Sequence, residues 1–146
     1  KAKGITYDAA KSRALGPGGK VYNGTFMGEK ATFMVFFNAK SRIVFGVSVE
    51  LSYSSVELAR VPFTNIAEQL LKKYPKAVYG ANKDSNGDTN GLTFSIPNEA
   101  DTEKIGVIIQ TLNNSQSPLK DDCTIGLMYT DVENFKKSEA INNEDL

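Results

Sequence analysis

Apolar residues recur along this chain in two periods, and the switch between them separates strands from helices. Over residues 42–51 the period is two. Ile43, Phe45, Val47, Val49 and Leu51 alternate with Val44, Gly46, Ser48 and Glu50, which predicts a strand with its odd-numbered side chains on a core. Further on the period lengthens: Phe63, Ile66, Ala67, Leu70, Leu71 and Tyr74 form an unbroken helical stripe. Pro62 suits the first turn of that helix, Lys72 and Lys73 complement the dipole at its end, and Pro75 stops it. Residues 54–60 read as a short helix of their own ahead of Pro62.

The remaining segments fall into place around these two. Residues 8–15 are rich in helix formers and run into the breaker Gly16-Pro17-Gly18-Gly19. Residues 20–27 and 31–38 read as strands. The second is apolar on both faces, as in a doubly covered strand. Asn38-Ala39-Lys40-Ser41 supplies a hairpin turn before residues 42–51. After the long helix, strands are predicted over 76–81, 92–97, 104–113 and 123–130. In the last, Cys123, Ile125, Leu127 and Tyr129 share a face. The tail from Asp131 is polar and predicts no more than a loose helical turn around Val132 and Phe135.

Helices heading runs of antiparallel strands imply an α+β class, with an amphipathic helix packed on one face of an antiparallel sheet. The two halves echo each other. Val21-Tyr22, Thr32-Phe33 and Asn38 in one match Val78-Tyr79, Thr93-Phe94 and Asn98 in the other. The chain thus reads as one α+β domain, 1–146, either undivided or built from two tandem α-β-β-β units at 5–51 and 54–130, with a polar tail at 131–146. A chain of 146 residues buries about 70% of its unfolded surface, which is enough for a core.

Composition changes the functional picture mainly by what it lacks. There is no histidine and one cysteine. The usual general base and the commonest metal ligand are therefore missing, which removes Ser-His-Asp and Cys-His nucleophiles and histidine-ligated zinc. Carboxylates are the remaining route to hydrolysis: Glu50, Glu57, Glu68, Glu99, Asp101 and Glu103. Nothing in their spacing fixes the pair that such chemistry needs, and Glu50 and Glu68 are expected in solvent. Cys123, preceded by Asp121 and Asp122, reads as a small core residue rather than a reactive thiol. Seventeen basic residues balance seventeen acidic ones, which argues against a nucleic-acid partner. The charge is nevertheless polarised. Lys1, Lys3, Lys11, Arg13 and Lys20 lead, with Asp8 the one acid among the first twenty residues, and acids predominate in the tail.

Two segments imitate ligand loops. Asp84, Asn86, Asp88 and Asn90 copy the oxygen spacing at the start of a calcium loop. Thr89 stands where glycine is wanted and Ser95 where a bidentate glutamate should close the site. The segment reads first as a hairpin loop and second as a weak calcium site with those four residues as ligands; no other cofactor is implied. Gly16-Pro17-Gly18-Gly19-Lys20 resembles a phosphate loop, but Ala14 and Val21 break the pattern and no helix is predicted to follow. The aromatics Tyr22, Phe26, Phe33, Phe36, Phe37, Phe45 and Tyr53 are mostly core by expectation, or else a face for an apolar ligand.

The order Tyr22-x-Gly24-x-Phe26, Phe33-x-Val35-x-Phe37, Ile43 and Val47, then Ile66, Leu70, Lys72-Lys73-Tyr74, then Ile125, Leu127, Tyr129 and Asp131 resembles small exported proteins of Bacteroidetes. The predicted architecture also resembles the β-lactamase inhibitor protein and the small lipoprotein of the outer-membrane assembly machine. The resemblance implies protein–protein binding on a sheet face and a periplasmic or secreted address. It lies in core and turn residues and carries over no functional residue. The chain begins at Lys1, and a removed export signal is the expectation. No apolar stretch approaches the ~20 residues of a membrane span. The expected function is a non-enzymatic exported binding module with a protein partner. The alternatives are a carrier of a small apolar ligand or lipid on the concave sheet face, and a carboxylate-dependent hydrolase.

Overall fold

The computed structural model describes residues 4–83, 89–97, 103–113 and 123–143. These form one antiparallel sheet with helices, as the alternation predicts. The elements run β1 (Thr6–Asp8), α1 (Ala9–Leu15), β2 (Gly19–Phe26), β3 (Glu29–Phe37), β4 (Val44–Tyr53), α2 (Val56–Lys73), β5 (Val78–Lys83), β6 (Thr89–Pro97), β7 (Glu103–Asn113), β8 (Cys123–Asp131) and α3 (Val132–Asn143). The eight strands lie in the order β1-β2-β3-β4-β8-β7-β6-β5. Two meanders therefore meet at the β4–β8 seam, where Gly46 pairs with Thr130 and Tyr53 with Cys123. Helix α2 carries the chain from β4 to the far edge of the sheet, and β5 to β8 return it strand by strand.

Side chains alternate across a strand, so the register sorts them into two faces. One face carries Ala31, Val49, Leu51, Ile125 and Leu127, and α2 covers it with Ala59, Ile66, Ala67 and Leu70. Phe63, Leu71 and Tyr74 complete the helical stripe against the same core, as its period predicts. Leu51, Ile125 and Leu127 are almost wholly buried, each contributing about 1.5–3 kcal/mol by removal of apolar surface from water.

Helix α2 is longer than its stripe suggests. The short helix expected over 54–60 and the helix after Pro62 are one continuous element, with Pro62 in its interior rather than its first turn. Ser55 caps the true N-terminus by accepting from the Leu58 amide. Ala59, buried against the core, extends the apolar stripe by a further turn and holds the segment ahead of the proline in helical form. Proline removes the hydrogen bond to the Leu58 carbonyl. That carbonyl belongs to an exposed residue, where water can reach it.

The second face is also covered over much of β2 to β4 and β8. Val21, Met34 and Ser48 face each other across the ladder and are buried, and so is Glu50 beside them. The expectation that Glu50 is solvated therefore fails. It points away from α2 but not into water, because alternation assigns a face and not what covers it.

Two elements escaped the sequence reading. The three-residue β1 pairs with β2 through Tyr7 and Tyr22. The tail forms a full helix, α3, packed against β4, β7 and β8. Asp131 starts it by accepting from the Asn134 amide, and Lys137 pairs with Glu133 one turn along. Its inner side is interrupted by the buried Ser138, so the apolar period that would have announced it is absent.

Candidate functional site

At the end of the sheet where α1 meets β2 and β3, the surface opens into a recess of about 400 Å³. Tyr7, Arg13, Pro17, Lys20, Phe37 and Arg42 form its principal walls. Each arrives for a local reason. Asp8 caps α1 by accepting from the Lys11 amide at 3.0 Å, and its second oxygen accepts from Asn23 Nδ2. These bonds, the Lys11 amide foremost, hold the Asp8 carboxyl below the usual carboxylate range. Ser12 then takes over the edge of β2 where β1 stops. Its hydroxyl accepts from the Val21 amide at 2.8 Å and donates to the Asp8 carbonyl at 2.6 Å. Arg13 follows in the last turn of α1, and Gly16, with φ of 96°, ends the helix.

The glycine-rich segment is a tight turn back into β2. The Gly19 amide donates to the Gly16 carbonyl, and Gly18 accepts from the Phe37 amide at 2.9 Å. A methyl group at Gly19 would lie 2.4 Å from Leu15 Cδ2, so this position takes no side chain without moving Leu15. The turn brings Lys20 up beside Arg13's helix.

Arg42 comes from the β3–β4 turn, and Asn38 builds that turn. Asn38 Oδ1 accepts from the amides of Lys40 and Ser41, each at 2.9 Å, and its carbonyl accepts from the Arg42 amide at 2.9 Å. On its other side, Asn38 Nδ2 donates to the carbonyl and hydroxyl of Ser138 and to Asn142 Oδ1. Arg42 adopts a left-handed φ of 62°, and its guanidinium lies 4.6 Å from the centre of the Phe37 ring. Among the described residues no carboxylate lines the recess, and Arg13, Lys20 and Arg42 have no ion-pair partner. The arrangement can hold an anionic group but offers no nucleophile and base in contact.

The residues singled out from sequence lie elsewhere. Asp84, Asn86 and Asp88 fall outside the described residues, and Asn90 is the second residue of β6. Cys123 opens β8, opposite Tyr53. Among the acids, Glu50 is buried on the face away from α2, whereas Glu57 and Glu68 lie exposed on α2 itself. The sheet separates them. Glu103 begins β7, and Glu99 and Asp101 lie outside the described residues.

The aromatic residues are divided between the two faces of the sheet. Phe26, Phe33 and Tyr53 pack against the core under α2. Tyr22 meets Tyr7, with ring centres 5.5 Å apart, and Phe45 meets Phe135 of α3 at the same separation. Phe36 lies on the opposite face, paired with Gly19 and Gly46.

The recess left two traces in the sequence, the basic excess near Arg13 and Lys20 and the glycine-rich turn between them. Arg42 left none, because only the β3–β4 hairpin brings it there. No known protein family, curated protein or solved structure matches the chain.

Proposed function

We propose that the chain is a non-enzymatic binding module of the bacterial envelope that engages another protein through the basic recess at the α1–β2 end of the sheet. The observation that carries this reading is the set of three cations, Arg13, Lys20 and Arg42, around one recess that no described carboxylate lines. Unneutralised charge of one sign around a concavity attracts the opposite charge and steers its approach. The resemblance of the core-residue order to exported proteins supports the envelope address. Helix α2 packs on the apolar core residues of one sheet face and occupies that surface, which favours the protein-binding reading over an apolar-ligand carrier there.

A photo-cross-linking residue placed at the exposed Ala14, beside Arg13, tests the proposal in envelope extract of the source organism. The control position is Gln69 on the exposed side of α2. The expected result is one discrete adduct from position 14 that disappears with R13E/R42E and does not form from position 69. Equal adducts from both positions, or adducts indifferent to charge reversal, would overturn it. So would turnover by the purified protein in a panel of hydrolase substrates.

A further inference from the structure

We infer that the recess takes an acidic peptide segment, bound by side-chain cations rather than by backbone amides. The inference rests on the binding-module reading and names the chemistry of the partner. Three observations lead to it.

The glycine-rich turn is poorly equipped to cradle a compact phosphate. Pro17 has no N–H, the Gly16 amide is spent on the Ser12 carbonyl, and the Gly19 amide is spent on the Gly16 carbonyl. The turn also follows the C-terminal end of α1 rather than preceding a helix N-terminus. A phosphate loop presents the opposite end of a helix.

The cations come from three separate elements: the last turn of α1, the start of β2 and the β3–β4 turn. Charge distributed in this way matches single carboxylates spaced along an extended chain better than one concentrated dianion. Tyr7 and Pro17 line the same recess and offer apolar surface for the stems of Asp or Glu side chains.

Arg42 is already oriented. Phe37 covers one face of its guanidinium, and the Asn38 turn fixes its backbone. A ring contact does not consume N–H donors, and the guanidinium fork matches a carboxylate bidentately. Nucleic acid is the less suitable polyanion, because the chain as a whole carries no basic excess.

Fluorescence anisotropy with the whole protein and labelled ten-residue peptides tests the inference. One peptide alternates Glu with Ser, and the second replaces each Glu by Gln. The Glu peptide should bind saturably, weaken steeply as salt rises from about 0.02 to 0.15 M, and lose about tenfold in affinity with R42E. R42K should lose less than R42E, since it keeps the charge and gives up only the fork. R13E, read separately, should weaken binding in the same direction, with unchanged thermal unfolding showing that each variant is folded. Equal binding of the Gln peptide, or no response to R42E and R13E, overturns the inference. Displacement of the Glu peptide by equimolar inorganic phosphate, or tighter binding of a single-stranded oligonucleotide, overturns it in favour of those anions. If the position-14 adduct forms while the Glu peptide does not bind, the acidic-peptide inference fails alone. If neither is seen, the binding-module reading fails with it.

Discussion

Truncating Asn38 to alanine should be costly, because a single side chain holds both the β3–β4 turn and α3. Its side chain joins two parts of the molecule that lie 100 residues apart. Oδ1 accepts from two turn amides at 2.9 Å, and the two Nδ2 hydrogens are shared among Ser138 carbonyl, Ser138 hydroxyl and Asn142 Oδ1 at 3.1–3.2 Å. A hydrogen bond is worth about 0.5–1.5 kcal/mol net, and a buried polar group left unsatisfied costs about 1–3 kcal/mol. The turn amides can recover bonds to water; the buried Ser138 cannot do so readily. The loss therefore comes to about 3 kcal/mol, or a fall in Tm of roughly 10 °C for a chain of this size. Urea unfolding measures it directly as a lower midpoint at constant slope. N38D separates the two halves of the effect. Its carboxylate still accepts from Lys40 and Ser41 but has no hydrogen for α3, so the turn and Arg42 should survive while α3 loosens. A double-mutant cycle of N38A with S138A should give a coupling of about 1 kcal/mol. A loss under about 1 kcal/mol for N38A, or additivity with S138A, would refute the view that this residue fastens α3 to the sheet.

The other predictions rest on equally local features. S12A removes the acceptor of the buried Val21 amide and should destabilise by about 1–3 kcal/mol; a change within error in a denaturant melt would show that the edge of β2 is satisfied some other way. P62A should stabilise by about 2 kcal/mol, the restored Leu58 bond outweighing the lost rigidity of proline in the unfolded chain, and a lower urea midpoint would contradict this. G19A forces Leu15 aside and should cost about 1–3 kcal/mol, with a neutral result showing that Leu15 repacks freely. Asp8 titrates below its ordinary range in the folded state, so its stabilising contribution is present above about pH 4 and fades as pH falls through the folded value. Glu57, held low by its own backbone amide and by Ser55, acts with the same sign. D8N, which keeps a capping oxygen, should flatten the acid limb of Tm against pH, and an unchanged limb would refute the linkage.

What was legible in the sequence was what periodicity can encode. The stripe from Phe63 to Tyr74 marks the helix face on the core, and the alternation through Val47, Val49 and Leu51 marks the strand beneath it. Elements held by polar contacts were not legible. Helix α3 depends on Asp131, Ser138 and its bonds to Asn38, none of which produces an apolar period. Pro62 misled because a proline is commonest in a first turn, whereas here the packing of Ala59 outweighs its cost. The buried position of Glu50 could not be read because alternation is silent about the second layer. The recess was half legible, since Arg13, Pro17 and Lys20 are neighbours in sequence but Phe37 and Arg42 join them only through the β2–β3–β4 meander.

The seam between β4 and β8 has a consequence for the life of the chain during its synthesis. Strand β4 is complete early, yet one of its edges finds its partner only when β8 has emerged, after α2 and three further strands. Until then Val47, Val49 and Leu51 stand on a strand with an open edge, the arrangement most prone to pairing with the wrong chain. A ribosome stalled just before β8 would therefore hold a nascent chain that recruits holdase chaperones, and release of the chaperone should coincide with emergence of residues 123–131. Gly46 and Glu50 lie along that edge, a glycine and a charge that make a poor template for intermolecular strands while it waits.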